Sequence, residues 1–403
     1  MRLLTKEELA RATVFLSLDL PTAYLELTQT GLDKSIMDAT ESVRRFLADA
    51  ALHDYRAQLQ GTDAKVTLEA RFIRSSGEIV SAQVSLYRPV TKNGDPRIWI
   101  YGLKAQASAG DVIILTVIAG ELWVSNLTKT AIDLIAIAPN ELSDALAPAF
   151  ASKTLVVDDL TQRLLEICAG GFIPAPGAGD TMVGRVLETA LGIDANSSKA
   201  PDFYGIELKA YRLKPNSSSH AMKRRNLFAK TPDWGLSTLK SSRQILDNFG
   251  YESKGILRLY CELRASKFNT QGLGLQVDQA ADVLNEVSNR ADLPHVATWP
   301  LGQLQQSLSD KHAETFWVGA QAKKLGGLEY FRYVVVEHTQ QPLVEQFGPL
   351  VTAGAISLDH LIKAKGTSAS EKGPLFKIDN ASADMLFPSP KVFALDGTGQ
   401  DGG

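Results

Sequence analysis

The chain has 403 residues, 44% of them hydrophobic and 22% charged, with a net charge of −3. This length exceeds one ordinary core, so two domains are expected, and the composition excludes fibrous and disordered classes. No apolar run reaches the length of a membrane span.

The N-terminus, Met1-Arg2-Leu3-Leu4-Thr5-Lys6-Glu7-Glu8, lacks the apolar core and cleavage site of a signal peptide. Two cysteines, Cys168 and Cys261, exclude a disulfide framework or a cysteine zinc site and fit a reducing cytoplasm, the expected location. Charge is uneven along the chain. From Asp202 to Gly272 there are 13 Lys and Arg against 6 Asp and Glu, a local +7 that leaves −10 for the remainder. A basic segment in an acidic protein is either the footprint of a phosphate backbone or a solvated surface.

In chain order, apolar residues at helical spacing predict a helix over Ile36 to Ala51, capped by Asp33 or Ser35. Alternating, β-rich runs follow at Lys65 to Phe72, Glu78 to Val90, Arg97 to Tyr101, Asp111 to Val117 and Glu121 to Leu127. Short strands at close intervals with Gly and Pro turns predict a small barrel or sandwich over residues 1–150. Pro139 to about Lys153 reads as a linker, and Asp158 to Ala169 as a helix. A Gly- and Pro-rich loop, 170–180, leads into a helix from Thr181 to Leu191, capped by Asp180 or Thr181. Residues 192–201 are turn-rich. Lys365 to Gly373 reads as a polar loop, and the tail 396–403 as disordered. The second domain is expected over 151–395.

The chemistry sits at Asp202-Phe203-Tyr204-Gly205-Ile206-Glu207-Leu208-Lys209. Residues two apart on a strand share a face, so Glu207 and Lys209 project together while Ile206 and Leu208 enter a core. A bend at Gly205 brings Asp202 back toward them. Two carboxylates offer the hard oxygen ligands that Mg²⁺ prefers, and a lysine beside them can orient a water or stabilise charge on a phosphorane-like transition state. The bland alternative is an ordinary strand with a solvated Glu–Lys pair.

Upstream lies Val183-Gly184-Arg185-Val186-Leu187-Glu188-Thr189-Ala190-Leu191-Gly192-Ile193. This unit, with the D-x4-E-x-K stretch that follows it, resembles the catalytic core of the MvaI/BcnI family of type II restriction endonucleases. It is also similar to the related mismatch-repair nicking enzyme MutH. Gly171-Phe172-Ile173, Gly179-Asp180-Thr181, Asn226 to Trp234 and Gly373 to Ile378 extend the resemblance over residues 164–388. It implies a PD-(D/E)XK nuclease core of α/β class, a mixed sheet flanked by helices. Glu188, Asp202, Glu207 and Lys209 are then the catalytic set, with Asp202, Glu207 and Glu188 on Mg²⁺. The implied enzyme is a monomer that cuts duplex DNA at a short, near-palindromic sequence, with a methyltransferase protecting host DNA.

Other basic residues offer DNA contact. Lys223, Arg224, Arg225 and Lys230 are candidates for phosphate binding, against a solvated loop. Six scattered histidines form no zinc pattern, and the glycine-rich loop lacks the Lys-Ser/Thr ending of a P-loop. Asp95 to Leu103 and Ala109 to Leu115 resemble the B3-like effector pseudobarrel of EcoRII-type enzymes. That resemblance makes residues 30–35 with Lys34 a DNA-facing loop, and Lys92, Arg97 and Lys104 phosphate contacts. The alternative is a β-rich scaffold without a DNA role. A repair-type nicking endonuclease and a non-catalytic DNA-binding regulator remain as the other readings of the whole chain.

Overall fold

The computed structural model describes residues 1–177, 179, 181–193, 202–213, 224–312, 314–371 and 373–396. The chain divides into two compact units of mixed α/β character. The first joins Met1–Ala147, Lys223–Lys311 and Leu343–Leu386; the second joins Pro148–Met222, His312–Pro342 and Phe387–Gly403. They do not follow a single cut near residue 150, because strand pairing crosses long sequence gaps. Arg224–Ala229 pairs with Leu375–Asp379, while Glu207–Arg212 pairs with Thr315–Leu325. Among the described residues no helix is long and apolar enough to cross a membrane.

In the first unit, all five runs read from the sequence are strands. They belong to a seven-stranded sheet ordered Thr22–Glu26, Val112–Ile118, Glu121–Asn126, Val66–Ile73, Ile79–Tyr87, Arg97–Ile100 and Met37–Asp38. Only the contact between Val66–Ile73 and Glu121–Asn126 is parallel. One sheet face packs with Val43, Phe46 and Leu47 over a core that includes Phe72, Val84, Ile98 and Leu115.

The helix expected over 36–51 is shorter, Glu41–Asp49, and its cap is Thr40, whose hydroxyl accepts from the Val43 amide. Met37–Asp38 is diverted into the sheet opposite Ile98 and Arg97, which explains the later start. The polar stretch read as a loop at 365–373 contains a strand, Ser368–Glu371, that folds back on Ile356–Lys365. Ser and Thr satisfy an edge strand as readily as a loop.

The linker expected at 139–153 is instead part of one helix, Glu141–Ala169, with Pro148 inside it. Asn140 caps it by accepting from the Leu142 and Ser143 amides. Pro148 removes one backbone hydrogen bond, but the surrounding Ala and Leu residues are strong helix formers.

A six-stranded and a three-stranded sheet complete the first unit. The two are tied by the buried His360, whose Nε2 lies 3.1 Å from both oxygens of Glu286, while its Nδ1 is 3.8 Å from Glu371 Oε1. Burial alone would push the imidazole pKa down. The two carboxylates outweigh it and push the value up to about 9, against 6.5 ordinarily.

A group whose folded pKa is raised stabilises the fold fully below its unfolded value, and that stability is lost as pH rises through the folded value. Urea unfolding of the wild type should therefore lose on the order of 3 kcal/mol between pH 6 and pH 10. Glu286→Gln should flatten this dependence; an unchanged pH profile in the variant would refute the assignment.

Candidate active site

The site is built on the second unit's sheet, ordered Lys391–Ala394, Leu328–Thr339, Thr315–Leu325 and Glu207–Arg212, with Ile173–Pro174 added to Leu328–Thr339. Glu207–Arg212 runs parallel to Thr315–Leu325, so Glu207 stands opposite Thr315 and Lys209 opposite Trp317. Leu208 is buried in the core with Ile206, Phe316, Val318 and Val336. Side-chain alternation then places half-buried Glu207 and Lys209 on the opposite face. The Lys209 ammonium lies 5.0 Å from the Trp317 ring centroid, a cation–π contact that holds it on that face. Trp317 pairs in turn with Glu337 on the next strand, and Glu337 adds to the burial that raises the Tyr211 hydroxyl pKa.

Asp202 arrives through a two-residue hairpin. Phe203 and Ile206 exchange both backbone hydrogen bonds, at 3.0 and 2.8 Å. The two residues between them, Tyr204 (φ 43°) and Gly205 (φ 96°), are both left-handed, as a hairpin turn of this length requires. Continuing the register by one pair sets Asp202 across from Glu207, and Asp202 Oδ2 accepts from the Leu208 amide at 2.9 Å. The four-residue spacing between these two acids is therefore the spacing of one hairpin turn.

Glu188 is half-buried on the helix Met182–Ala190. That helix packs through Val183, Val186 and Leu187 on the Leu208 side of the strand, not on the Glu207–Lys209 face. A Cβ on Gly184 would lie 3.9 Å from Glu188 Oε1. The carboxylate also adds, after burial, to the raised pKa of Tyr333, whose hydroxyl donates to the Val183 carbonyl at 2.7 Å. Among the described residues no group of three or more His, Cys, Asp or Glu side chains is gathered to hold a metal ion. The three acids expected around one cation are thus not a closed cluster. The hairpin sets Asp202 across from Glu207, Lys209 shares the Glu207 face, and Glu188 is carried by the packed helix.

Behind Glu207 lies a charged cluster that the sequence did not reveal. The Glu207 amide donates to the Glu314 carbonyl at 2.8 Å. The buried Glu314 side chain accepts from His338 Nε2 at 2.6 Å and from Lys153. Burial would push the Glu314 carboxyl up, but these two bonds outweigh it and hold the group below the usual carboxylate range. Phe316, Val318 and Ala320 alternate into the core of this strand, and no local pattern names the partners of Glu314.

The expected phosphate-binding residues fare unequally. Arg224 is paired with Asp359 at 2.7 Å and Glu262 at 3.3 Å, and Arg97 with Asp38 and Asp95, so both are spent within the fold. Arg225 is exposed and donates to Asn380 at 3.0 Å. Lys230 is half-buried, and its carbonyl accepts from Trp299 at 2.9 Å. Lys34 is exposed at the end of the helix Gln29–Lys34, and Lys104 is exposed as well. Lys92 lies in the 3-10 turn Lys92–Gly94, its side chain outside the description, and Lys223 lies outside the described residues. So do Asp180, one of the two expected caps, and residues 397–403 of the tail.

A model of the MvaI/BcnI restriction endonuclease family matches residues 161–387, more than half of the chain. The chain belongs to that family. As an MvaI/BcnI-family restriction endonuclease it cleaves DNA at a specific sequence. The matched range holds all four acid and lysine positions and the Lys223–Lys230 segment. Two solved structures of the restriction endonuclease MvaI, one in complex with cognate DNA and one without DNA, are similar to the chain. Each is 18% identical, with 59% of this chain and 97% of that chain covered and a TM-score of 0.39, too distant to carry positions across. No curated protein matches.

Replacing Glu314 with Ala should destabilise the second unit by about 3 kcal/mol, because it leaves the Lys153 ammonium and the buried His338 without their carboxylate. Urea unfolding measures the effect; a loss under about 0.5 kcal/mol would mean that the cluster does not brace the strand.

Proposed function

We propose that this family member is a Mg²⁺-dependent type II endonuclease with a PD-(D/E)XK core. Its cleavage centre is Asp202, Glu207 and Lys209, assisted by Glu188. The observation that carries the reading is the Glu207–Lys209 pair, turned to one face by the burial of Leu208, with Asp202 brought opposite by the hairpin. The donor chemistry fits the ion. Mg²⁺ is commonly held by one or two carboxylates and retains several waters, so a closed cage of protein ligands is not required.

Asp202 and Glu207 would hold the cation, and Asp202 Oδ2 is already oriented by the Leu208 amide. When bound, the ion polarises the phosphate and acidifies a water. Lys209, steadied over Trp317, donates to the attacking water or to a phosphate oxygen, balancing negative charge as the phosphorane-like state forms. Glu188 would assist the ion or a water from its helix. Duplex DNA is held by the exposed Lys34, Lys104 and Arg225 and by the half-buried Lys230. The seven-stranded sheet of the first unit serves as a B3-like DNA-binding module. A cognate methyltransferase protects host DNA, and the enzyme works as a monomer.

Unmodified phage DNA incubated with the protein and Mg²⁺ should be cut at one mapped sequence, and chelation should stop the reaction. Lys209→Ala should lower the cleavage rate by a factor of about 10³ or more while leaving DNA affinity within about threefold. Normal cutting by that variant would sink the assignment. Early accumulation of relaxed plasmid before linear product would mark one strand cut per encounter, and direct linearisation would exclude the single-centre reading.

A further inference from the structure

The hairpin Thr315–Leu325/Leu328–Thr339 is longer than the cleavage centre needs. Glu207–Arg212 pairs with it only from Thr315 to Ala320. Beyond that, every residue from Gln321 to Leu328 is exposed. Its end is the pair Leu325 and Leu328, 63% and 47% exposed, opposite each other across Gly326–Gly327. Both glycines are left-handed, at φ 59° and 81°, the geometry that a two-residue turn requires. The turn therefore has no slack, and it presents two adjacent apolar side chains at an exposed tip beside Lys323 and Lys324.

The stem below this tip is braced. Ile173 and Pro174 pair with Phe331 and Tyr330. Arg212 donates to both oxygens of Glu329 at 2.9 Å and lies 5.1 Å from the Phe331 ring centroid. Phe172, just before the added strand, receives the Lys323 ammonium 3.9 Å from its ring centroid. The acid nearest the tip is thereby neutralised by Arg212, while Lys323 and Lys324 leave the exposed end cationic. Alternation puts Trp317, Lys323 and Leu325 on one face of the strand, the face that carries Lys209.

We propose that this hairpin grips duplex DNA beside the cleavage point, with Leu325 and Leu328 wedged against a base step and Lys323 and Lys324 on the flanking phosphates. The direction of the duplex rests on reading Glu207 and Lys209 as the cleavage centre. Apolar side chains flanked by Lys or Arg are a recurring way to pry at a base step. Trp317 and Leu325 are eight residues apart, roughly 27 Å along a strand, which corresponds to about eight base pairs at about 3.4 Å each. The partner is DNA rather than a second copy of the chain, because two leucine side chains fall far short of the roughly 800 Å² per partner that a stable protein interface buries.

The test compares wild type with Leu325→Ala/Leu328→Ala and Lys323→Ala, all full length, with Ca²⁺ replacing Mg²⁺. Fluorescence anisotropy measures binding to random duplexes of about 30 and about 10 base pairs. Wild type should prefer the longer duplex by about tenfold beyond the statistical gain in sites, and the double leucine variant should lose that preference. Lys323→Ala should reduce the slope of log affinity against log salt by about 0.9. A 2-aminopurine placed about eight base pairs from a mapped cut should brighten with wild type and not with the leucine variant. Circular dichroism confirms folding of these surface variants.

Full length preference in the double leucine variant overturns the proposal. So does sedimentation that finds wild type self-associated and the variant monomeric. The anisotropy arm needs no cleavage: a protein that never cuts DNA would defeat the nuclease reading while the length preference still decides the grip.

Discussion

Burial of Leu208 is the constraint on which the site depends. A strand's side chains alternate, so once Leu208 and Ile206 are committed to the core with Phe316 and Val336, Glu207 and Lys209 have one face available. A slip of one residue would bury an acid and an ammonium and expose two large apolar side chains. Each fully buried leucine contributes about 2 kcal/mol of transfer free energy, while an unpaired buried charge costs several kcal/mol, so the register is held from both directions. The geometry of the candidate site is in this sense a by-product of the core.

The same economy governs Asp202. Its distance from Glu207 in sequence is that of a two-residue hairpin, and its carboxylate takes up the Leu208 amide. One interaction thus fixes the turn, orients the acid and satisfies a backbone donor next to the buried leucine. Glu188 has no such coupling. Its helix is positioned by Val183, Val186 and Leu187, which pack in the same core as Leu208.

Charges inside the fold also separate by role. Glu314 with Lys153 and His338, and Glu286 with His360, are acids buried between strands and matched by lysine or histidine partners. Pairs of this kind add little net stability over apolar packing, yet breaking one is costly, so they penalise misregistered sheets. Arg97 and Arg224 belong to this structural class as well. Basic residues that cluster in sequence therefore overstate the surface available to phosphate; among the described candidates Lys34, Lys104, Arg225 and the hairpin lysines are exposed.

The sequence by itself determined five of the seven strands of the first sheet, the helix carrying Glu188, the strand face shared by Glu207 and Lys209, and the family. Each of these is encoded by local periodicity or by a short spacing, since side-chain alternation and hairpin turns act over a few residues. Tertiary structure decided the rest. It made the helix Glu141–Ala169 continuous through Pro148, recruited Met37–Asp38 into a sheet, and spent Arg97 and Arg224 on internal acids. It placed Trp317 under Lys209 and Glu314 beside Glu207, across more than 100 residues of chain. Those pairings rest on which distant strands bury each other's apolar faces, and no local pattern of residues carries that choice.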